Sequence, residues 1–403
     1  MKFVVKKEEI KKMDSEALQN LPEPVTVNQI YTLVNNVFEQ MTGLKTISVV
    51  DTKSLVAMGR EINNLGKNEL WLNSFSRRIG LTIDSYRVYN NKFADLYRNQ
   101  MEWGALVQKI DVEMPEAVLD ETYNVGNLNG KSVDQWIINN PKVHQRFFDK
   151  ETPYSFFTTI QKKFLKESFL SASAMEAFIN QIFGKVQNKI EFVLEELARM
   201  AVANFVINLK PSQELHLVTM YNNTSPENSV TTTSAMYDPN FLRWSIGMMN
   251  NVSRKMESMS VLYNSEGLQR FTPQNMQRFY ILSDFITQVE TVVAYAAFHQ
   301  NYVTKKPDIA IPYWQATASI SDNMSFEQIS QIQGTVEKQA TPVIKKNLIG
   351  IMFDRDAIGT FREEEDVETT TINARALYYN TFWHERQLWF NDMSENGVAF
   401  YLD

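Results

Sequence analysis

Apolar residues recur at steps of three and four over residues 171–208: Met175, Phe178, Ile179, Ile182, Phe183, Val186, Ile190, Val193, Leu194, Leu197, Met200, Ala201 and Phe205. A stripe of that period predicts one amphipathic helix. At about 1.5 Å per residue it would be on the order of 55 Å long. Ser171 or Ser173 can cap its start, and Pro211 lies just past its end. A dimeric coiled coil is the competing reading, but the stripe does not keep a strict heptad. Shorter helical stripes run through 26–41 (Ile30, Val34, Val37, Phe38) and 63–76 (Leu65, Leu70, Trp71, Leu72, Phe75), the second stopping near Gly80. Pro239 opens another, with Phe241, Trp244, Ile246, Met248, Met249 and Val252, and 284–302 carries Phe285, Val289, Val292, Val293, Ala296 and Ala297.

Strand-like runs interleave with these helices. His216-Leu217-Val218-Thr219-Met220, residues 277–282 and residues 347–353 are short and apolar. Residues 377–390 and 398–402 read as aromatic strands joined by a turn containing Asn396-Gly397. Residues 81–168 are different: they hold no sustained helical period, only pieces such as Leu81-Thr82-Ile83, Tyr86-Arg87-Val88-Tyr89 and Ala105-Leu106-Val107. The same stretch is dense in rings, among them Tyr97, Trp103, Trp136, Phe147 and Phe148. An extended segment this aromatic needs another surface to cover it, and in an oligomer that surface belongs to a neighbouring subunit. Those five residues are therefore the candidate inter-subunit contacts. Residues 1–60, apart from the helix at 26–41, read as an arm, and no internal repeat is present.

Composition narrows the classes. At 403 residues the chain is long enough for two or three packed units. It has 40 basic against 47 acidic residues, a formal net charge of −7, which is poorly suited to gripping duplex DNA as its main task but suits a wall that confines DNA without adhering to it. With no cysteine, disulfides, thiol nucleophiles and Cys-based zinc sites are excluded. No apolar run reaches the roughly eighteen residues a transmembrane helix needs. The first residues lack a signal-peptide core, so a cytoplasmic product and no membrane partner are expected.

Tests for chemistry return little. Residues 126–132 approach a phosphate-binding loop but have three residues between the glycines instead of four, and no buried strand precedes them. None of the four histidines (His144, His216, His299, His384) has a second at the spacing that puts two ligands on one helix face. The acidic stretch Asp354, Asp356, Glu363, Glu364, Glu365, Asp366 fails the EF-hand pattern at Ile358, which offers no side-chain oxygen, and reads as a solvated loop. No catalytic centre, cofactor or metal is expected.

Three stretches, taken in order and spacing, resemble a known family. They are Glu61-Ile62-Asn63-Asn64-Leu65 through Ser76-Arg77-Arg78-Ile79-Gly80; Asn140-Pro141-Lys142-Val143-His144-Gln145-Arg146-Phe147-Phe148 through Phe164-Leu165-Lys166-Glu167-Ser168-Phe169; and Leu348-Ile349-Gly350-Ile351-Met352-Phe353 with Tyr378-Tyr379-Asn380-Thr381-Phe382-Trp383 and Gly397-Val398-Ala399-Phe400-Tyr401. The chain resembles the major capsid proteins of small short-tailed phages of the phi-twenty-nine type, which have the Hong Kong 97-like capsid fold. The resemblance implies an α+β architecture: an N-terminal arm (1–60), a peripheral domain (61–80, 169–211 and 366–403) with a spine helix at about 171–208, an extended loop (81–168) and an axial domain (212–365). It also implies a shell of hexamers and pentamers around packaged double-stranded DNA, with portal and scaffolding proteins as partners, in a virion assembled in the host cytoplasm. An encapsulin-like compartment shell and a carboxylate-dependent hydrolase are the alternatives, told apart by encapsulated DNA, protein cargo, or a concave carboxylate pocket.

Overall fold

The computed structural model describes residues 27–43, 48–82, 89–98, 107–115, 138–149, 151–296, 307–315, 325–335, 341–362 and 366–403, with isolated positions between 117 and 136. In chain order the elements begin with helices α1 (Val27–Thr42), α2 (Thr52–Asn64) and α3 (Asn68–Thr82), then strands β1 (Val107–Val112), β2 (Val143–Phe148) and β3 (Glu151–Gln161). Helices α4 (Lys162–Ser168), α5 (Ala172–Phe178) and α6 (Lys185–Ile207) follow, with a π-helical turn, Ile179–Gly184, between the last two. Strand β4 (Glu214–His216) leads to helices α7 (Leu217–Thr224), α8 (Thr232–Ala235) and α9 (Pro239–Met256). Next come β5 (Gln277–Leu282), α10 (Ser283–Ala296), β6 (Ile309–Ile311) and α11 (Phe326–Ile329). The chain closes with β7 (Ile332–Gly334), β8 (Val343–Lys345), β9 (Leu348–Asp354), β10 (Ile358–Arg362), β11 (Asp366–Thr369), β12 (Tyr378–Asn391) and β13 (Gly397–Tyr401). No helix among the described residues is long and apolar enough to cross a membrane.

These elements form two units. The first draws on the described residues of Met1–Asn91, Pro153–Glu195 and Glu364–Arg386. Helix α1 buries Ile30, Val34, Val37 and Phe38, the four positions its periodicity predicts, and ends at Gly43 with φ +67°. Residues 52–60, expected as part of an arm, instead form α2 together with residues 61–64. Asp51 caps it in a reciprocal box with Ser54, and Leu55, Met58 and Ile62 are buried. Gly66, at φ +66°, then lets the chain turn into α3. Leu81 and Thr82, read from sequence as strand, are the last residues of α3. At the centre of this unit rings touch in series: Phe169 on Trp71 at 5.0 Å, Trp71 on Phe75 at 4.3 Å, Phe75 on Phe183 at 5.7 Å and Phe183 on Trp383 at 6.0 Å. Gly59 is where α2 meets this row, since a Cβ there would lie 2.4 Å from Phe169 Cγ. Strand β12 pairs with β11 and β3, and Thr159 Oγ1 donates to Asn380 at 2.7 Å.

The predicted long helix is present, with Ser171 Oγ accepting from the Ala174 amide at 3.1 Å at its start. Its stripe is interrupted by the π turn. The stripe also fails at three positions further along: Met200 is exposed, whereas Glu195 and Arg199 are buried. Partners explain the two buried charges. The Tyr89 hydroxyl donates to Glu195 at 2.7 Å within the first unit. In the second unit, the Arg199 guanidinium lies 4.3 Å from the Tyr313 ring and 5.3 Å from that of Phe93, and donates to the Tyr313 carbonyl.

The second unit comprises the described residues of Lys92–Thr152, Glu196–Glu363 and Gln387–Asp403. Its core is a five-stranded mixed sheet in the order β4-β13-β9-β5-β6. Every residue of β9 and β13 is buried, so both faces are covered, as the unbroken apolar runs require. Leu217, Tyr221, Phe241, Met249, Phe285 and Phe205 pack in that same core. One expectation is corrected here. Residues 217–220, read as strand, open helix α7, because its residues Leu217, Val218 and Tyr221 bury one helical face. The two expected C-terminal strands, β12 and β13, are present with a turn between them, and they pair with different partners: residues 387–391 of β12 with β10, and β13 with β4 and β9. Lys345 closes the end of α6, its ammonium donating to the carbonyls of Val206 (3.1 Å) and Ile207 (3.4 Å) and to Glu214.

Candidate interaction surface

Strands β1 and β2 form a two-stranded antiparallel ribbon in the second unit, in the register Val107↔Phe148, Gln108↔Phe147, Lys109↔Arg146, Ile110↔Gln145, Asp111↔His144, Val112↔Val143. The Glu113 amide extends the ladder to the Lys142 carbonyl at 2.9 Å. Because side chains alternate along a strand, each face is fixed by the register. One face carries Gln108, Ile110, Val112, Val143, Gln145 and Phe147, the other Val107, Lys109, Asp111, His144, Arg146 and Phe148. The usual polarity of a surface ribbon is reversed. The apolar members of the first face, Ile110, Val112, Val143 and Phe147, are 50–62% exposed, while the charged face is turned toward the rest of the unit.

The charged face is held by acids. Lys109 and Arg146 sit directly opposite one another, a pairing that like charge disfavours. Both bond to the buried carboxylate of Asp392, Lys109 at 2.9 Å and Arg146 through a short contact. Lys109 also reaches Glu395 at 3.6 Å and donates to the Asp356 carbonyl at 2.6 Å, and Arg146 pairs with Glu266. From the body of the unit, Arg270 answers Asp111 at 3.0 Å and approaches Glu395 at 3.9 Å. The apolar part of this attachment includes Phe148 against Phe390, with centroids 5.3 Å apart and the Lys109 ammonium 5.5 Å from the Phe390 ring.

Burial raises the Asp392 carboxyl, but the Lys109 charge and the hydrogen bonds from Lys109 and Ser394 outweigh it, so its pKa falls below the ordinary value. Glu395 goes the other way: burial dominates, and Lys109 and Arg270 compensate only in part. A cavity of about 350 Å³ lies along this face, lined by Lys109, Asp111, Arg146, Arg270, Asp392 and Glu395 among others. Each of these charges already faces an opposite one. The cavity offers no unpaired cation for an anion and no group of carboxylates facing one another for acid–base work.

Of the residues singled out in the sequence, Trp136 and Phe147 are exposed, and Phe148 and Tyr97 pack within their own chain, Tyr97 edge-on to Trp389 at 5.9 Å. Trp103 lies outside the described residues. Sequence reasoning missed Ile110, Val112 and Val143, and all of the anchoring charges. The alternation along 107–112 was available as a signal, but the face on which the body of the unit lies is not written in it. The acidic stretch at 354–366 is not simply solvated. Asp354 is buried, accepts from Thr272 at 2.7 Å and from the Asp356 amide at 2.8 Å, and burial raises its pKa. Asp356 pairs with Arg98 at 2.9 Å. Residues 363–365, His299 and most of 126–132 lie outside the described residues. His144 pairs with Glu113 at 2.8 Å and His216 with Asp403 at 2.5 Å, while His384 stacks on Phe382 on an exposed strand face. Among the described residues no three acidic or histidine side chains are grouped to hold a metal ion.

Comparison with known proteins agrees with this picture. The major capsid protein of Bacillus phage B103 is 20% identical over 378 residues, 93% of this chain and 73% of that protein. Among solved structures, a chain in the capsid of Staphylococcus phage Andhra matches 78% of this chain and 85% of its own length, with 11% identity and a TM-score of 0.50. A chain in a structure of the head fibre and inner core protein gp22 of native bacteriophage P68 matches 80% and 87%, with 11% identity and a TM-score of 0.51. The fold is the α+β, Hong Kong 97-like capsid fold. The family model described as Phi29-like phage major capsid protein matches residues 30–401, nearly the whole chain, and the protein belongs to that family, a structural component of a phage virion.

Proposed function

We propose that the chain is the repeating subunit of an icosahedral phage head, assembling into hexamers and pentamers that enclose double-stranded DNA, with no catalytic centre of its own. The observation that carries the reading is the reversed ribbon: four apolar side chains face solvent on a strand pair whose charged face is turned inward. A subunit that stayed alone would gain by the opposite arrangement, whereas one that associates covers the outward face with another copy. Trp136 and Phe147, both exposed, are the sequence candidates assigned to that contact in this reading, while Phe148 packs the ribbon onto Phe390 and Tyr97 packs on Trp389. In this reading residues 61–80, 169–211 and 366–403 are the peripheral domain with its spine helix, 212–365 the axial domain, and 81–168 the extended loop. The net charge of −7 fits a wall that contains DNA without gripping it. Portal and scaffolding proteins are the further partners, and assembly takes place in the host cytoplasm.

Negative-stain microscopy of the overexpressed chain, alone and with the product of a scaffold gene from the same genome, tests this. Closed shells of uniform size are expected, with nuclease-resistant DNA in native particles. Persistent monomer under both conditions, or particles filled with protein cargo and no DNA, would overturn it.

A further inference from the structure

We infer that the β1–β2 ribbon is fastened to its own subunit by an ionic latch with Asp392 as keystone, so that it can be released as a unit while the five-stranded sheet stays folded. Four observations lead there. First, the ribbon is a separate two-stranded sheet, sharing no strand with the core. Second, four of the six residues it turns inward (Lys109, Asp111, His144, Arg146) are charged or titratable, and the ring contact at its root is Phe148 on Phe390. Third, the directly opposed Lys109 and Arg146 would repel one another without the carboxylate they share. Fourth, β13 and β9 bury all their residues in a core to which β1 and β2 contribute none.

Docking through ion pairs differs in kind from docking through apolar area. The cationic side chains of Lys109, Arg146 and Arg270 keep between a fifth and about a quarter of their surface in water, so mobile ions reach them and added salt weakens the attachment. An isolated two-stranded ribbon is marginal in water. Its backbone ladder should therefore lose protection whenever the latch opens, which makes amide exchange a direct reporter. The latch lies within one subunit, so the test is made on unassembled chain and does not depend on the shell reading.

Hydrogen exchange read by mass spectrometry would follow residues 107–112 and 143–148 against 348–354 and 397–401, at about 0.05 and about 1 M sodium chloride. In the wild-type protein the ribbon is expected to exchange at least roughly tenfold faster at high salt, corresponding to a shift of about 1.4 kcal/mol, with the core strands unchanged. The Asp392→Asn variant should exchange in the ribbon at the released rate at both salt concentrations, again with the core protected. A triple variant, Lys109→Met, Arg146→Leu and Asp392→Leu, replaces the centre of the latch with apolar contacts and should hold the ribbon with a much smaller salt dependence, that of the remaining Arg270–Asp111 pair. Wild-type protection in Asp392→Asn overturns the latch. Loss of protection in ribbon and core together overturns it as well, since Asp392 would then be holding the fold and not a releasable arm.

Discussion

Replacing Ile110 and Phe147 together by threonine removes two members of the outward apolar face while keeping residues that favour a strand. Fully burying an isoleucine or phenylalanine side chain contributes about 1.5–3 kcal/mol. Ile110 is 62% exposed and Phe147 54%, so each has about half of that, roughly 1 kcal/mol, still to gain when a neighbour covers it. The pair therefore contributes about 2 kcal/mol to each contact, or about a thirtyfold change in the pairwise dissociation constant. Within the monomer the same side chains contribute little, and denaturant unfolding should shift by no more than about 0.5 kcal/mol. Assembly followed by light scattering against protein concentration should then show a threshold raised at least about tenfold, with soluble, folded subunit below it. Two results would refute the reasoning. One is an unchanged threshold. The other is a loss of monomer stability well above 1 kcal/mol, which would mean that this face belongs to the interior of the subunit.

Three further outcomes follow from the geometry. Gly59→Ala gains about 1 kcal/mol of helix propensity but places its methyl group 2.4 Å from Phe169 Cγ, so overpacking of about 1–3 kcal/mol should win and lower the thermal midpoint of the first unit. Lys345→Met leaves the last carbonyls of α6 and the half-buried Glu214 without their cation, and chemical denaturation should report a loss of about 2 kcal/mol. Asp354 has a raised pKa because burial penalises its charge, so its contribution is fully present below the unfolded value and is lost as pH rises through the folded one. Asp354→Asn should accordingly be at its best relative to wild type at neutral pH and lose that relative advantage as pH falls toward the ordinary carboxylate range; a stability difference that does not vary with pH would contradict the assignment.

Where the interior of one subunit determines the pattern, the sequence was readable. The four apolar positions of α1, the cap at Ser171, Pro239 at the start of α9 and the unbroken apolar run of β9 each answer to a single local rule. Where two rules compete, it was not. Residues 217–220 are rich in strand formers, yet the core beside β13 takes them as helix. Helix α2 buries only Leu55, Met58 and Ile62, too sparse a stripe to stand out from charged surroundings. The proposed interaction surface was signalled in the sequence only by composition, an excess of rings in 81–168, and not by its individual residues. Side-chain alternation tells which residues share a face of β1 and β2, and only the positions of Asp392, Glu395 and Arg270, far away in the chain, decide which face looks inward.

The π turn at Ile179–Gly184 gives the long helix one place where its length is negotiable. A turn that already accommodates a surplus residue can surrender it and revert to ordinary α-geometry, so a one-residue deletion there need not break the rod. Because the widened turn already absorbs that residue, its loss should leave the segments on either side near their present rotation and keep Phe178 beside Phe183, now 5.9 Å distant. Single-residue deletions scanned along 172–207 should therefore be tolerated, if anywhere, inside this short window, with the aromatic row kept, whereas one elsewhere in the rod turns one flank by about 100° against the other.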